Sequence, residues 1–344
     1  MTDAMSRSGA MSSVVAAPDK FRGTASGTDI AGAIANAAEA AGWVCDRAPV
    51  ADGGEGTLEA LGGRARTTRV RGPLGASVEA EWRVEDGRAV VEMARASGLV
   101  LAGGPEHNDP LRASTFGTGQ LIAAAMEAGA RRVIVGVGGS ASTDGGLGAV
   151  SALGARRLRG VEVVVACDVT TRFVDAAEQF APQKGASPAQ VALLKRRLER
   201  LAQVYERDFR VDVTGIEGSG AAGGLAGGLA ALGATLVPGF DVVSEALQLA
   251  DRIARAHLVV TGEGFLDEQS FRGKAVGGVT ELAREAGVPV LVVAGDVYVE
   301  DLPDHIEVVS LVDRFGEDRA RAEVLACVET VVRERLTRPE GGHR

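Results

Sequence analysis

Residues 258–279 read LVVTGEGFLDEQSFRGKAVGGV, and this stretch decides the fold class. A short apolar run ends in glycines and carboxylates, and a helical pattern follows. That is the order of strand, strand-end loop and helix. The strand is expected over 257–261, with the loop continuing to Lys274. The same design recurs in APDKFRGT (17–24), ADGGEGT (51–57) and VGGSASTDGG (137–146). Apolar strands alternating with helices mark an α/β protein, and open α/β sheets bind ligands at the carboxyl ends of their strands.

Outward from these loops, strands are expected over 13–17 and 43–50. Ser26 and Asp29 form a capping box that opens a helix running to 41. A short helix covers 57–61. Segments 67–70, 78–84 and 89–93 alternate apolar and polar, with Asp86-Gly87 as a hairpin turn, so an antiparallel insert begins here. Helix 118–128, strand 132–137, a helix ending near 153, strand 161–166 and an amphipathic helix over 189–205 follow. Strands 289–294 and 307–312 and a closing helix over 317–336 complete the chain. The last three strands join the first two in one parallel sheet. The fold expected is therefore α/β in two domains: a discontinuous parallel sheet (12–65 and 251–336) and an inserted mixed α/β domain (66–250). The termini, 1–11 and 337–344, are expected to be disordered.

Composition narrows the function classes. Glycine supplies 47 of 344 residues, about twice the usual share. Thirty-seven basic against 46 acidic residues give a net charge of −9, which argues against sequence-independent nucleic-acid binding. Cys45, Cys167 and Cys327 are odd in number and far apart, and the four histidines have no zinc spacing. The leader MTDAMSRSGAMSS lacks an apolar core, so the cytoplasm is expected. Residues 218–240 carry no charge, but their glycine content suits a close-packed Gly/Ala helix better than a membrane span.

Phosphoryl transfer requires backbone donors around phosphate, cations, carboxylates for Mg²⁺ and a carboxylate base. All four are offered by these loops. Ser140, Ser142 and Thr143 lie among glycines and precede Asp144; Lys184 abuts Gly185, and Arg272 and Lys274 flank Gly273. There is no Walker A motif, because Glu268 and Ala275 stand where glycine and Ser/Thr are needed. Gly218, Gly220 and Gly223 spell G-x-G-x-x-G with Asp241 beyond, but the preceding DVTGIEG is not an apolar strand.

Together, APDKFRGT, PVADGGEGT, VEMARASGL, STFGTGQLI, GVGGSASTDGG, VACDV, FAPQKGA, GSGAAGGLAGG, LVVTGEGFLDEQSFRGKAVGGV and VPVLVVAG resemble the signature blocks of the bacterial-type glycerate kinase family, in family order. The resemblance implies an ATP- and Mg²⁺-dependent kinase that phosphorylates D-glycerate, usually at the 2-hydroxyl, with two α/β domains, one Rossmann-like and discontinuous, and the site in the cleft between them. Four departures stand out. The family's APDSFKG is APDKFRG here, with Lys20 for serine and Arg22 for lysine. Thr143 replaces asparagine in GGSATNDGG, and a connecting segment near 155–161 is missing. After Asp168, an Asp-Asn-Pro-Leu loop is replaced by Thr170-Thr171-Arg172-Phe173, which leaves a related hydroxy acid or sugar acid as an alternative substrate.

On this reading Asp144, Lys184, Lys274 and Asp52 are catalytic, with Asp144 as the base. Asp19, Lys20, Arg22, Glu55 and Arg272 bind substrate. Gly138, Gly139, Ser140, Thr143, Gly145, Gly220, Gly223 and Gly224 hold the nucleotide, and Asp168, Glu263 and Asp267 hold metal. The expected cofactors are ATP and Mg²⁺. The expected partners are small molecules, D-glycerate and ATP, with no nucleic acid and no membrane; a homodimer is compatible with the sequence. The residues alone do not separate base from metal ligand, nor 2- from 3-phosphorylation. Two other classes fit individual features: an NAD-dependent oxidoreductase through Gly218–Gly223, and a non-catalytic metabolite sensor.

Overall fold

The computed structural model describes residues 11–154, 158, 160–271, 274–299, 302, 303 and 305–338. Of the expected disordered termini, only Met11, Thr337 and Arg338 fall among these residues, and Thr337 is the last residue of a helix. The strands among the described residues are β1 (Ser13–Ala16), β2 (Val44–Arg47), β3 (Arg64–Arg71), β4 (Ser77–Glu85), β5 (Arg88–Glu92), β6 (Arg132–Gly136), β7 (Glu162–Ala166), β8 (Thr235–Val237), β9 (Leu258–Leu266), β10 (Val290–Val297) and β11 (Ile306–Ser310).

One sheet has the order β11-β10-β9-β1-β2, with every pair parallel. Its inner strands are continuous runs of buried valine, such as Val14-Val15 and Val259-Val260, as parallel strands covered on both faces require. The capping box opens the crossover helix Gly27–Ala40: the Asp29 N–H donates to Ser26 Oγ at 3.1 Å, and the Ser26 N–H donates to Asp29 Oδ2 at 3.1 Å. From β1 the chain steps to β2 at one edge. From β9, the other neighbour of β1, it steps through β10 to β11 at the opposite edge. The carboxyl ends of β1 and β9 therefore flank the point where strand order reverses, the crevice where open α/β sheets take ligands.

β9 and β10 are longer than their apolar runs. β9 continues through the expected loop to Leu266, pairing Glu263 with Ala294 and Leu266 with Val297. Glycine makes this possible. A Cβ on Gly262 would lie 1.9 Å from the Val293 carbonyl oxygen, and one on Gly295 would lie 2.4 Å from that of Gly264. The expected closing helix is two helices, Glu317–Ala322 and Val324–Thr337, broken at Glu323.

The second sheet has the order β3-β4-β5-β6-β7-β8, antiparallel as far as β5 and parallel from there on. Asp86 and Gly87, with φ of 48° and 80°, make the tight turn between β4 and β5. Contacts divide the chain into one unit of residues up to Val50 with those from Ser244 on, and a second of Ala51–Val243. The sequence placed these boundaries at 65/66 and 250/251. Residues 51–65 go with the second unit because Glu92, at the end of β5, accepts the N–H groups of Gly56 and Leu58 at 3.0 Å each and so holds helix Thr57–Leu61.

The uncharged stretch folds as the wholly buried helix Ala221–Ala231 followed by β8. Ala222, Gly223 and Gly224 take left-handed conformations, with φ of 53°, 68° and 90°, and kink its start. No helix among the described residues is long and apolar enough to cross a membrane.

Candidate active site

In the first unit, expected site residues meet at the β1/β9 reversal point. Asp19 follows β1 and is buried; its Oδ1 accepts the Lys20 N–H at 2.7 Å and lies 3.6 Å from Lys20 Nζ. Glu263 projects from the extended end of β9. Burial pushes its carboxyl up to about 7; a Ser270 hydrogen bond and the Lys274 charge work against this, while the negative charges of Asp19 and Asp267 add to it. Its Oε1 is buried and has no hydrogen-bond partner. Asp267, just past β9, uses Oδ1 to accept the N–H groups of Gln269 (2.8 Å) and Ser270 (3.1 Å) and the Ser270 hydroxyl (3.3 Å). Those bonds form the turn that leads to Lys274, the residue capping helix Ala275–Ala286. Arg22 is exposed on the loop after β1, and Arg272 lies outside the described residues. The cluster thus offers two lysines, two aspartates and a glutamate with an open oxygen.

In the second unit the loop after β6 is a latch. Asp144 accepts four donors: the Thr115 N–H (2.8 Å), the Thr115 hydroxyl (2.9 Å), the Gly146 N–H (3.1 Å) and the Gly148 N–H (3.2 Å). Burial pushes its carboxyl pKa up, and these bonds oppose the shift. Both oxygens are engaged with protein donors, so the geometry gives Asp144 a fastening task and not the base's task expected of it. Lys184 is buried, and its Nζ donates to the Ser142 carbonyl at 2.5 Å and reaches Ser140 Oγ at 3.4 Å. Desolvation pushes its ammonium down to about 7 against the opposing pull of Asp144. Asn108 ties the same loop from the other side, donating to the carbonyls of Ala141 (3.0 Å) and Lys184 (2.9 Å).

The glycines expected to cradle phosphate separate into two groups. A Cβ on Gly223 would lie 2.1 Å from the Ser142 carbonyl oxygen; on Gly220, 2.4 Å from that of Arg172; on Gly224, 2.8 Å from Gly145 Cα; and on Gly145, 2.5 Å from Leu201. Gly145, Gly220, Gly223 and Gly224 therefore seat protein against protein. The G-x-G-x-x-G match lacks its context, because no strand directly precedes Gly218. Gly138 is half-buried, with a Cβ there 2.9 Å from Gly54 Cα, whereas Gly139 is exposed and only Ala94 Cβ would lie near, at 3.4 Å. Glu55 and Asp168 are exposed, and Asp52 accepts the Gly54 N–H at 3.1 Å. Ser140 and Thr143 are buried, and the Thr143 hydroxyl has no hydrogen-bond partner.

The replaced loop after Asp168 is a packing element. The carbonyls of Thr170 and Thr171 accept the N–H groups of Gly218 (3.3 Å) and Gly220 (2.9 Å), and Phe173 is fully buried edge-on to Tyr205. Thr115, Asn108 and Glu92 had no role in the sequence reading. Thr115 and Glu92 stand in the quoted blocks STFGTGQLI and VEMARASGL, but pairing them with Asp144 and helix Thr57–Leu61 requires the fold. No group of three or more His, Cys, Asp or Glu among the described residues converges as a metal site.

The profile of the glycerate kinase family matches residues 14–159 and 155–333. The glycerate 2-kinase of Escherichia coli K12 is 40% identical over 327 residues, covering 83% of this chain and 85% of its own. A glycerate kinase of Bacillus subtilis 168 is 38% identical over 325 residues, covering 83% and 85%. A crystal structure from Salmonella typhimurium LT2, provisionally assigned as glycerate kinase 2, superposes with a TM-score of 0.83 at 34% identity, covering 95% of this chain and 98% of that one.

Proposed function

The chain belongs to the glycerate kinase family, and from that premise we propose that it transfers the γ-phosphoryl group of ATP to the 2-hydroxyl of D-glycerate. The observation that carries the assignment of chemistry is Glu263: a buried carboxylate oxygen without a protein partner, at the reversal point of a parallel sheet, with lysines nearby. A general base works best with a pKa near the operating pH, and Glu263 has been pushed up to about 7. Glu263 therefore takes the hydroxyl proton, the role first expected of Asp144, and leaves the metal set. Lys20 and Lys274 hold the substrate carboxylate.

The donor set fits Mg²⁺. This ion takes hard oxygen ligands, keeps several waters and is commonly held by one or two carboxylates plus substrate phosphates, so a preformed cluster of three is not required. Asp267 is suited to it, because Oδ1 is fixed by three hydrogen bonds and Oδ2 stands outside them. When bound, Mg²⁺ neutralises charge on the phosphoryl oxygens. The test is ADP release by the full chain with D-glycerate, L-glycerate, lactate and sugar acids, with the product identified by NMR. Phosphorylation of D-glycerate at the 2-position is expected, and inactivity with D-glycerate overturns the reading.

A further inference from the structure

A cavity of about 730 Å³ opens within the second unit, between residues 110–116, helix Leu147–Leu153 and one face of helix Pro188–Phe209. Its size lies within the range of small-molecule sites. The wall is apolar, with Leu111, Phe116, Leu147, Leu194 and Leu201, and Leu147 is 50% exposed. A large aliphatic side chain half open to solvent at the mouth of a helix gains from an apolar ligand laid over it.

Four arginines, Arg112, Arg196, Arg197 and Arg200, line the same cavity. Arg197 is spent on the Leu111 carbonyl at 2.9 Å, and Arg200 contacts Gln203 at 3.3 Å. The guanidinium groups of Arg112 and Arg196 make no hydrogen bond or ion pair among the described residues. Four arginines and one acid, the hydrogen-bonded Asp144, line this cavity of a chain with net charge −9, an arrangement that attracts a polyanion. Guanidinium forks match phosphate in geometry as well as in charge. Deeper in, Thr143 is 2% exposed, lines the cavity and has a buried hydroxyl without a partner. Leaving such a group unpaired costs free energy that a ligand polar atom can recover.

We infer that this cavity seats the donor nucleotide, with the purine against the leucine wall, Thr143 reaching a polar edge of the nucleoside and the polyphosphate among the arginines. The assignment rests on the kinase reading above and adds where the donor binds. An apolar wall alone would suit a lipid or a peptide; the unpartnered arginines and the buried hydroxyl point to a compact molecule that is apolar at one end and polyanionic at the other.

Titration calorimetry of the full chain with ATP, without glycerate, tests this. Two variants avoid the catalytic cluster: Arg112→Ala/Arg196→Ala, which removes exposed unpaired charge, and Ser151→Trp, which fills the cavity from the solvent face of its helix. Each is expected to raise the Kd for ATP by about tenfold or more and to raise the KM for ATP in step. The KM for glycerate and the Tm should stay near those of the parent chain. An ATP Kd within twofold of the parent in both variants overturns the proposal. So does a raised Kd with an unchanged KM for ATP, which would make the cavity an effector site. Tight, variant-sensitive ATP binding with no turnover of any hydroxy acid would overturn the kinase reading and leave the nucleotide site standing. A parent chain that binds no ATP overturns both.

Discussion

The two units carry the same sequence device, an apolar strand followed by glycine and carboxylate, and put it to opposite uses. After β9 the glycines prolong the strand, and Glu263 emerges with a buried oxygen that no protein group satisfies. After β6 the glycines draw backbone against backbone, and Asp144 and Lys184 are tied down by Thr115, Gly146, Gly148 and Ser142. A carboxylate near glycine is thus reactive or structural according to how many donors the fold brings to it. Burial raises the pKa in both places, so hydrogen-bond satisfaction is what separates them.

The sharpest way to break this contrast is to neutralise each carboxylate. Glu263→Gln should lower kcat by about 10²–10⁴-fold while the Tm stays close to that of the parent. A kcat within tenfold would remove Glu263 from the chemistry. Asp144→Ala should act through the fold instead, leaving buried N–H groups of Thr115, Gly146 and Gly148 without an acceptor. Its cost is about 3 kcal/mol or more, read from urea unfolding, and residual activity should follow the folded fraction. Asp144→Ala with parental stability and no turnover would restore Asp144 as the base.

A paired glycine test comes next. Gly223 and Gly139 have the same φ of +68°, but a Cβ on Gly223 meets the Ser142 oxygen at 2.1 Å, while one on Gly139 meets only Ala94 Cβ at 3.4 Å. Gly223→Ala should cost about 3 kcal/mol and Gly139→Ala about 1 kcal/mol, so equal losses would contradict the packing role.

The contrast extends to the pH dependence of stability. Glu263 is raised from 4.5 to about 7, so its contribution is full below about pH 4.5 and is lost as pH rises through 7. Lys184 is depressed from 10.5 to about 7, so its contribution is present above about pH 10.5 and is lost as pH falls through 7. Scanning calorimetry should show Glu263→Gln flattening the Tm profile on the acid side of 7 and Lys184→Met flattening it on the alkaline side. Profiles parallel to that of the parent would show that neither shift exists.

What was legible in the sequence was local. The capping box of Ser26 and Asp29, the Asp86-Gly87 turn and the valine runs encode their structure within a few residues, and each element formed near its expected bounds. The glycine readings went astray wherever the partner is distant. Nothing near Gly262 announces that Val293 lies alongside it, and nothing near Asp144 announces Thr115, 29 positions away. Glu92 serves a helix 34–36 positions upstream for the same reason, which also displaced the expected domain boundary. The site was legible as a set of residue types. Which of them remain open to a ligand depends on long-range hydrogen bonds that no local pattern carries.

The interleaved chain path also bears on the order of events during synthesis. β1 pairs on one side with β2 and on the other with β9, which is translated more than two hundred residues later by chain number. Until β9 emerges from the ribosome, β1 and β2 amount to a two-stranded fragment, too small to hold together in water. Residues 51–243, by contrast, form one continuous segment with its own sheet and core. Folding during translation therefore starts in the middle of the polypeptide, and the nascent amino-terminal strands wait with their edges unpaired, the stage at which this chain is most exposed to aggregation.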